Sequence, residues 1–362
     1  MRSVYIHIPF CTNICSYCDF SKIYYNEKYI DKYLNELKKE IKKRYRNDTI
    51  NTIYIGGGTP SSLNIKQLEK LFFIIKIFNL KQNAEFTFEC NIENTTYEKL
   101  LFLYKNKVNR LSFGVQSFND KILKILKRNH TKEEVYNTIK MAKDLGFTNI
   151  NVDLIYGLKD QTIKDLQEDL NNFLSLNINH ISTYSLIIEN HTILNNLKYQ
   201  NVDEDTEYTM YKIINKILSN NNYHQYEISN YAKNNTHSNH NLTYWNNQEY
   251  YGFGLGATSY LNYHRLENTK NLTNYLKGKY QSTNVYENKN IRMSNELILG
   301  LRKIEGVDTK LFKEKYHKNI EQVFNINDLL KEKKLLIENN YIKINPTYLY
   351  TSNDILIKFL IY

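Results

Sequence analysis

The amino-acid sequence predicts an α/β fold: a partial (βα)6 barrel followed by a small C-terminal helical/winged domain. Between residues 4 and 186, short β-branched or aromatic runs alternate with longer amphipathic stretches, which is typical of βαβ units and a mainly parallel sheet. Six such units indicate an open or partial barrel rather than a closed eight-fold one. The pattern changes after residue 231, which indicates a different organisation for the last third of the 362-residue chain.

The strands and helices of the barrel follow from the period of their apolar residues. The predicted strands are Val4–Ile8, Thr52–Ile55, Glu85–Cys90, Arg110–Phe113, Ile150–Ile155 and His180–Leu186. The predicted helices are Tyr29–Tyr45, Ile65–Phe78, Thr96–Lys105, Lys132–Leu145 and Thr162–Leu174. In barrels and open parallel sheets, functional side chains lie at the carboxyl ends of the strands, so we expect the chemistry there.

The last third of the chain has two parts. Residues 234–263 are rich in Asn, Gly and aromatic residues, and we predict that they are loop-like. Beyond them, the pattern predicts helices over Asn295–Arg302, Thr309–Tyr316 and Asn327–Asn339, then short strands over Tyr341–Ile344 and Leu349–Thr351. We therefore divide the chain into a core of residues 1–232, a loop and connecting region of residues 233–290, and a C-terminal domain of residues 291–362.

Composition excludes several classes of protein. The net charge of +10 comes from 48 basic and 38 acidic residues, but the lysines are dispersed and no nucleic-acid module accompanies them, so we expect no nucleic-acid partner. No run approaches the ~20 apolar residues that a membrane span needs, so we expect no transmembrane segment. Three of the four cysteines lie within eight positions, unlike a disulfide framework. We therefore expect a cytoplasmic protein.

The clustered cysteines, Cys11, Cys15 and Cys18, directly follow the first predicted strand. Three thiolates in one loop suit a [4Fe–4S] cluster, whereas structural zinc normally takes four ligands and only His7 is a conceivable fourth. Three ligands for four irons leave one iron open. That iron can chelate the amino and carboxylate groups of S-adenosylmethionine (SAM), and electron transfer then cleaves a C–S bond to yield a carbon radical.

Further motifs occur in order along nearly the whole chain. They are Tyr5–Cys11, Cys18–Phe20, Gly56–Ser61, Arg110–Phe118, Asn151–Leu158 and His240–Trp245. With them the sequence resembles the radical SAM superfamily and, more narrowly, its HemW-type family of heme chaperones, relatives of the oxygen-independent coproporphyrinogen dehydrogenase HemN. The resemblance implies a radical SAM barrel, a [4Fe–4S] cluster, SAM, heme, and an acceptor protein of unknown identity.

The resemblance also implies roles for individual residues. Tyr5 and Gly57 match contacts of the cluster-bound SAM. A second SAM-like site matches Tyr17, Gly58, Thr59, Gln116, Arg128 and Asp153.

Two further predictions concern ribose and heme. The Glu89 carboxylate can accept both hydroxyls of a ribose, although Ile92 stands where relatives often have proline. A motif associated with heme in the family matches His240, Tyr244 and Trp245. These side chains suit heme because imidazole is a common axial ligand and aromatic rings stack on a macrocycle. On physics alone, the tryptophan fits a core position between domains equally well.

The sequence leaves three functions open and singles out no catalytic side chain. One is a heme chaperone; the others are an oxidative decarboxylase of coproporphyrinogen III and a radical SAM enzyme acting on another substrate. The dehydrogenase branch typically has a further cysteine two positions after the third one and a longer N-terminal arm. Here Phe20 occupies that position and four residues precede Tyr5, which favours the chaperone. The chaperone interpretation leaves the purpose of the SAM apparatus open.

Overall fold

A computed structural model describes residues 1–361. The strands are β1 (Arg2–Ile8), β2 (Phe10–Cys11), β3 (Ile23–Tyr24), β4 (Thr49–Gly57), β5 (Asn79–Asn91), β6 (Arg110–Gln116), β7 (Asn149–Tyr156), β8 (His180–Ser185), β9 (His224–Gln225), β10 (Asn230–Ala232), β11 (Tyr250–Phe253), β12 (Thr258–Leu261), β13 (His264–Asn268), β14 (Gln281–Tyr286), β15 (Val307–Asp308), β16 (Leu335–Glu338) and β17 (Tyr341–Ile344). The helices are α1 (Glu27–Arg44), α2 (Ile65–Ile75), α3 (Tyr97–Lys105), α4 (Asp120–Leu126), α5 (Lys132–Asp144), α6 (Ile163–Ser175), α7 (Ile193–Asn196), α8 (Glu204–Asn220), α9 (Asn239–Trp245), α10 (Leu272–Leu276), α11 (Lys289–Gly300), α12 (Thr309–Tyr316), α13 (Asn327–Lys331) and α14 (Ser352–Leu356).

One large sheet organises the molecule. Strands β1, β4, β5, β6, β7 and β8 are neighbours in this order and pair in parallel, with helices in the connections between them. The sheet continues from β1 into β11 and from β8 into β10, so its two ends do not pair with each other. This is a partial (βα)6 barrel, and the predicted α/β fold class is confirmed.

The barrel strands alternate between an apolar outer face and a polar inner face. In β6, for example, Leu111, Phe113 and Val115 are buried among the hydrophobic core residues. Their neighbours Arg110, Ser112 and Gln116 line the cavity inside the barrel. Because successive side chains of a strand point to opposite faces, this alternation directs every second residue into the interior.

The prediction that residues 234–263 are loop-like is wrong. They contain helix α9 and strands β11 and β12, and β11 pairs in parallel with β1. The elements are short, and the side chain of Ser238 caps α9 by accepting the N–H of Asn241, so no long apolar period marks them in the sequence. The division at residues 232 and 290 stays a prediction, although a separate hydrophobic cluster runs from Met293 to Phe359.

The C-terminal wing differs from its prediction in two places. The predicted helix Asn327–Asn339 ends at Lys331, and β16 then forms a hairpin with β17. Asn339 and Asn340 both have positive φ, which the tight turns between antiparallel strands require and which asparagine tolerates well. The predicted strand Leu349–Thr351 is also wrong, because this segment is a turn that leads into α14.

Within residues 1–361, the structure contains no helix that is long and apolar enough to span a bilayer.

A fully buried carboxylate fixes the added strands to the barrel. Glu40 of α1 is 0% exposed. It accepts hydrogen bonds from Arg44 Nη1 (2.6 Å), Asn268 Nδ2 (2.7 Å), Tyr275 Oη (2.6 Å) and the Gly254 amide (2.9 Å). A buried charge is tolerated when it is paired and its lone pairs are satisfied, so Glu40 holds this corner together.

Replacing Glu40 by alanine should lower the free energy of unfolding by about 3–5 kcal/mol, because the partly buried Arg44 loses its carboxylate and the Asn268, Tyr275 and Gly254 donors lose their acceptor. The matched control is Asp31→Ala on the same helix, which removes only an exposed ion pair with Lys70 and should cost less than about 1 kcal/mol. Urea unfolding of both variants measures the difference. Equal losses for the two variants would contradict the assignment of Glu40 as the anchor.

Candidate functional site

A cavity of about 510 Å³ lies at the carboxyl ends of the barrel strands, where the sequence predicts the chemistry. Its wall combines the cysteine loop after β1, the glycine loop after β4, and the ends of β5 to β8. Eleven of the fifteen predicted site residues line it: Cys11, Cys15, Cys18, Tyr17, Gly57, Gly58, Thr59, Glu89, Gln116, Arg128 and Asp153. Tyr5, His240, Tyr244 and Trp245 do not line it.

The three clustered cysteines are free thiols, and two of them receive hydrogen bonds from other elements. Thr59 Oγ1 donates to Cys11 Sγ at 3.5 Å, and Arg128 Nη1 donates to Cys15 Sγ at 3.6 Å. Burial raises the pKa of Cys11 to about 11 and also raises the pKa of Cys18. Thiolates in such a buried loop need a bound cation to compensate their charge, as an iron cluster does.

The glycine loop brings the backbone of β4 against the cysteine loop. A side chain at Gly58 would place its Cβ 2.9 Å from Cys11 Sγ and 2.7 Å from the backbone of Pro9. At Gly57, where φ is +120°, a Cβ would collide with the ring of His7 at 2.7 Å. Close approach therefore requires glycine at both positions, and backbone conformation requires it at Gly57 as well.

Glu89 lies at the end of β5 as a buried acid with two donors. Tyr54 Oη donates to Oε1 at 2.7 Å, and the Gly57 amide donates to Oε2 at 3.0 Å. Burial raises the pKa of Glu89 to about 7 in spite of these hydrogen bonds. A carboxylate has about four acceptor positions, so Glu89 can still accept the hydroxyls of a ribose.

Arg128, Gln116 and Asp153 all line the cavity. Arg128 Nη2 donates to the Gly114 carbonyl at 2.6 Å and to Glu93 Oε2 at 3.1 Å. Burial works against its charge, but the Cys15 thiol and Glu93 outweigh it, so the pKa of Arg128 is raised. Gln116 has φ of 72° and a buried Oε1 with no hydrogen-bond partner, and such strain is typical of functional sites.

Helix α9 carries the other predicted motif and packs beneath the cavity rather than in it. His240 is 1% exposed, and both ring nitrogens are engaged: Nδ1 with Thr52 Oγ1 at 2.7 Å and Nε2 with Tyr244 Oη at 2.8 Å. Trp245 lies under the guanidinium of Arg302 at 5.6 Å, with its indole N–H buried and unpaired. Only Asn241 of this helix reaches the cavity wall.

His7, the conceivable fourth metal ligand, lies beside Tyr5, a predicted SAM contact. His7 Nε2 lies 2.6 Å from the Ser21 carbonyl, and His7 Nδ1 lies 3.0 Å from Tyr5 Oη. Burial lowers the pKa of His7 to about 4, so its ring is neutral. With both nitrogens engaged, His7 is not free to act as the fourth ligand of a zinc ion.

The donor set fits a cluster better than a single ion. Within the described chain, no three or more His, Cys, Asp or Glu side chains are placed to hold one metal ion. Cysteines that hold a [4Fe–4S] cluster bind different irons and need not converge on one point, whereas zinc ligands must. Cys11, Cys15 and Cys18 on one side of a shared cavity meet the first requirement.

Sequence reasoning missed four polar residues of the site. Tyr54 donates to Glu89, Asn91 Nδ2 donates to Thr59 Oγ1 at 3.1 Å, and Glu93 positions Arg128. Arg110 lines the interior as well. Tyr54 and Arg110 could have been found from the alternation of polar and apolar residues in β4 and β6. The polar residues of these strands face the barrel interior and not the solvent.

Comparison with known proteins places the chain in a family. The model of the Radical SAM superfamily matches residues 5–173. The heme chaperone HemW of Lactococcus lactis is 38% identical over 370 residues, covering 99% of this chain and 97% of the relative. The heme chaperone HemW of Bacillus subtilis is 41% identical over 340 residues, covering 90% and 89%. The chain belongs to the HemW family. The predicted resemblance is thus confirmed, and the radical SAM membership of the family gives the chain a [4Fe–4S] cluster and SAM as cofactors.

A solved structure supports the fold independently. Coproporphyrinogen III oxidase (HemN) from Escherichia coli, described as a radical SAM enzyme, superposes with a TM-score of 0.88. The match covers 99% of this chain and 89% of that one, at 21% sequence identity. At this identity the likeness establishes the radical SAM fold of the HemW-family chain and not its reaction.

The stability of the SAM-free protein should depend on pH through Glu89. An unfolded glutamate titrates near 4.3, so the unfolded chain loses this proton well before the folded chain, whose Glu89 has a pKa of about 7. The stability that protonated Glu89 contributes is fully present below about pH 4.3, the pKa of glutamate in the unfolded chain. It is lost as the pH rises through about 7, the pKa of Glu89 in the folded chain. Glu89→Gln, which does not ionise, should therefore gain in melting temperature relative to wild type between pH 5 and 8.

The control is Glu98→Gln on the surface of α3, whose difference from wild type should not change with pH. Thermal unfolding in matched buffers measures both. A difference for Glu89→Gln that is constant across this range would show that the carboxyl is already ionised in the fold.

Proposed function

We propose that this chain is a heme chaperone of the HemW type, which holds a [4Fe–4S] cluster with SAM, binds heme, and transfers heme to an acceptor protein. The observation that carries the proposal is the similarity to relatives named heme chaperone HemW over nearly the full length of both chains. The cofactor cavity supplies the second part of the support.

In this proposal Cys11, Cys15 and Cys18 hold the cluster. Gly57 and Tyr5 serve the cluster-bound SAM, and Glu89 accepts its ribose hydroxyls. The second SAM-like site takes the remaining predicted contacts, Tyr17, Gly58, Thr59, Gln116, Arg128 and Asp153. Their common cavity supports this assignment for all except Tyr5, which lies behind the cavity wall beside His7. When bound, the cluster and SAM supply one-electron cleavage of a sulfonium C–S bond.

The proposed heme contacts remain His240, Tyr244 and Trp245 of helix α9. Tyr244 and Trp245 are partly exposed and present aromatic surface. The buried His240 ring positions Tyr244 through a hydrogen bond between Nε2 and the Tyr244 hydroxyl. Binding of iron by His240 itself requires exchange of one of its two partners, Thr52 or Tyr244. Heme binding and a shift of α9 are therefore coupled in this proposal.

The cysteine loop favours the chaperone over the dehydrogenase. Phe20 stands at the position where the dehydrogenase branch has a further cysteine, and it lies 64% exposed at the rim of the cavity. We also propose a cytoplasmic location, which the free state of all four cysteines supports because neighbouring thiols persist in reducing compartments.

The function is tested by two assays on one sample of anaerobically reconstituted protein. We expect stoichiometric heme binding, seen as a saturable Soret absorbance, and no conversion of coproporphyrinogen III in the presence of SAM and a reductant. Mass spectrometry of the tetrapyrrole checks the second point. Decarboxylation at enzyme-like rates would assign the chain to the dehydrogenase function instead.

A pair of histidine variants tests the heme motif. His240→Ala should weaken heme binding at least about tenfold, and free imidazole should restore part of it, because the small ring can occupy the vacated position. The control is His180→Ala, another fully buried histidine with two partners, Asn151 Oδ1 at 2.6 Å and Tyr226 Oη at 2.8 Å.

His180 lies outside the motif, so its variant should lose stability by a similar amount and keep its heme affinity. Soret titration gives the affinity, and thermal unfolding gives the stability. An unchanged heme affinity in His240→Ala would remove this residue from the heme contacts and leave the fold assignment intact.

A further inference from the structure

Arg110 is a buried cation without a partner at the inner end of the cofactor cavity. It is 2% exposed and begins β6, where its side chain points into the barrel and lines the cavity. Its Nε is buried and has no hydrogen-bond partner. Burying a guanidinium without a hydrogen-bond partner is costly. The Glu89 and Asp153 carboxylates interact with its charge only at longer range.

Arg110 differs from the arginines that form ion pairs. In the described residues these are Arg2, Arg44, Arg128 and Arg265, each with a carboxylate at 2.6–3.1 Å. Arg44, for example, also donates to Asn268 and Ser259. Arg110 has no such ion pair, although at 2% exposure it is more deeply buried than Arg2, Arg44 or Arg265.

The polar groups near Arg110 make contacts with other residues, and within residues 1–361 neither neighbouring carboxylate forms an ion pair with it. Glu89 accepts from Tyr54 and Gly57, and Asp153 accepts from Asn151 Nδ2 at 2.9 Å. Ser112, the next inward residue of β6, accepts from Asn151 Nδ2 at 2.8 Å, so its hydroxyl proton is still available to donate. The cavity floor therefore presents two donors, a guanidinium and a hydroxyl, with no protein acceptor paired to them.

We propose that Arg110 is an anion-binding residue of the cavity, and that its guanidinium, assisted by the Ser112 hydroxyl, receives a carboxylate of the bound ligand. A planar guanidinium matches a carboxylate through two parallel hydrogen bonds. Two ligands proposed for this chain carry such a group: SAM of the second site, whose amino-acid carboxylate is not taken by the open iron, and heme, through its propionates. The heme source rests on the proposed function, and the SAM source rests on family membership alone.

The test compares each ligand with a form that lacks the carboxylate. Anaerobically reconstituted full-length protein is titrated with heme and heme dimethyl ester, and with SAM and decarboxylated SAM. The variants are Arg110→Met, which keeps the length of the side chain without charge, and Arg110→Lys, which keeps the charge without the planar fork. Arg44→Met is the control, because Arg44 does not line the cavity.

For one of the two ligands, Arg110→Met should bind the carboxylate form about ten- to a hundredfold more weakly and lose the preference for it over the carboxylate-free form. Arg110→Lys should fall between wild type and Arg110→Met. Arg44→Met should keep the wild-type preference. The ligand that responds identifies the source of the carboxylate.

Stability of the ligand-free protein separates a binding arginine from a structural one. Because Arg110 has no partner to leave behind, Arg110→Met should melt at or above the wild-type temperature, whereas Arg44→Met should melt below it. Wild-type preferences for both ligands in Arg110→Met, or a melting temperature lowered as in Arg44→Met, would overturn the inference. Failure of wild-type protein to bind heme would instead contradict the proposed function, and the SAM titrations would still decide the role of Arg110.

Discussion

Charged groups buried in the fold must find partners there, and this constraint explains most of the polar architecture of the molecule. The free energy lost when an ion is removed from water exceeds the free energy gained from a single hydrogen bond. Each buried charge therefore either has several partners or remains incompletely paired until a ligand binds. Glu40 takes the first course, with four donors around one carboxylate. The residues of the cofactor cavity take the second course to varying degrees.

The difference between these two groups follows their position in the fold. Glu40 lies between α1 and the added strands, where packing can bring donors from several elements to it. Glu89 lies on the inner face of β5 and accepts hydrogen bonds from two donors, whereas Arg110 lies on the inner face of β6 and its Nε has no acceptor. Pairing is thus incomplete on the inner faces of these strands. A site that keeps its groups incompletely paired retains binding capacity and loses stability, a compromise common in functional sites.

The barrel itself was predictable because its strands and helices are long and strongly patterned. All six parallel strands and five of the helices between them occur where the apolar period places them, for example β7 over Asn149–Tyr156 and α5 over Lys132–Asp144. The elements after residue 231 were not predictable in this way. Helix α9 has seven residues and β11 has four, too few for a period to emerge, and β11 gains its stability from pairing with the distant β1.

The cavity could be predicted only in part, because motifs report residues that touch a ligand and not residues that touch each other. The cysteines and glycines stand out through their spacing, and the structure explains why they depend on one another: any side chain at Gly58 would meet Cys11 Sγ. Tyr54, Glu93 and Arg110 belong to no spacing rule. Their roles depend on contacts between elements that are distant in the sequence, which appear only once the fold is known. Tyr54 joins β4 to β5, and Glu93 joins the segment after β5 to Arg128 after α4. The inner face of a parallel barrel is therefore the place where polar residues in an otherwise apolar strand are best interpreted as parts of a site.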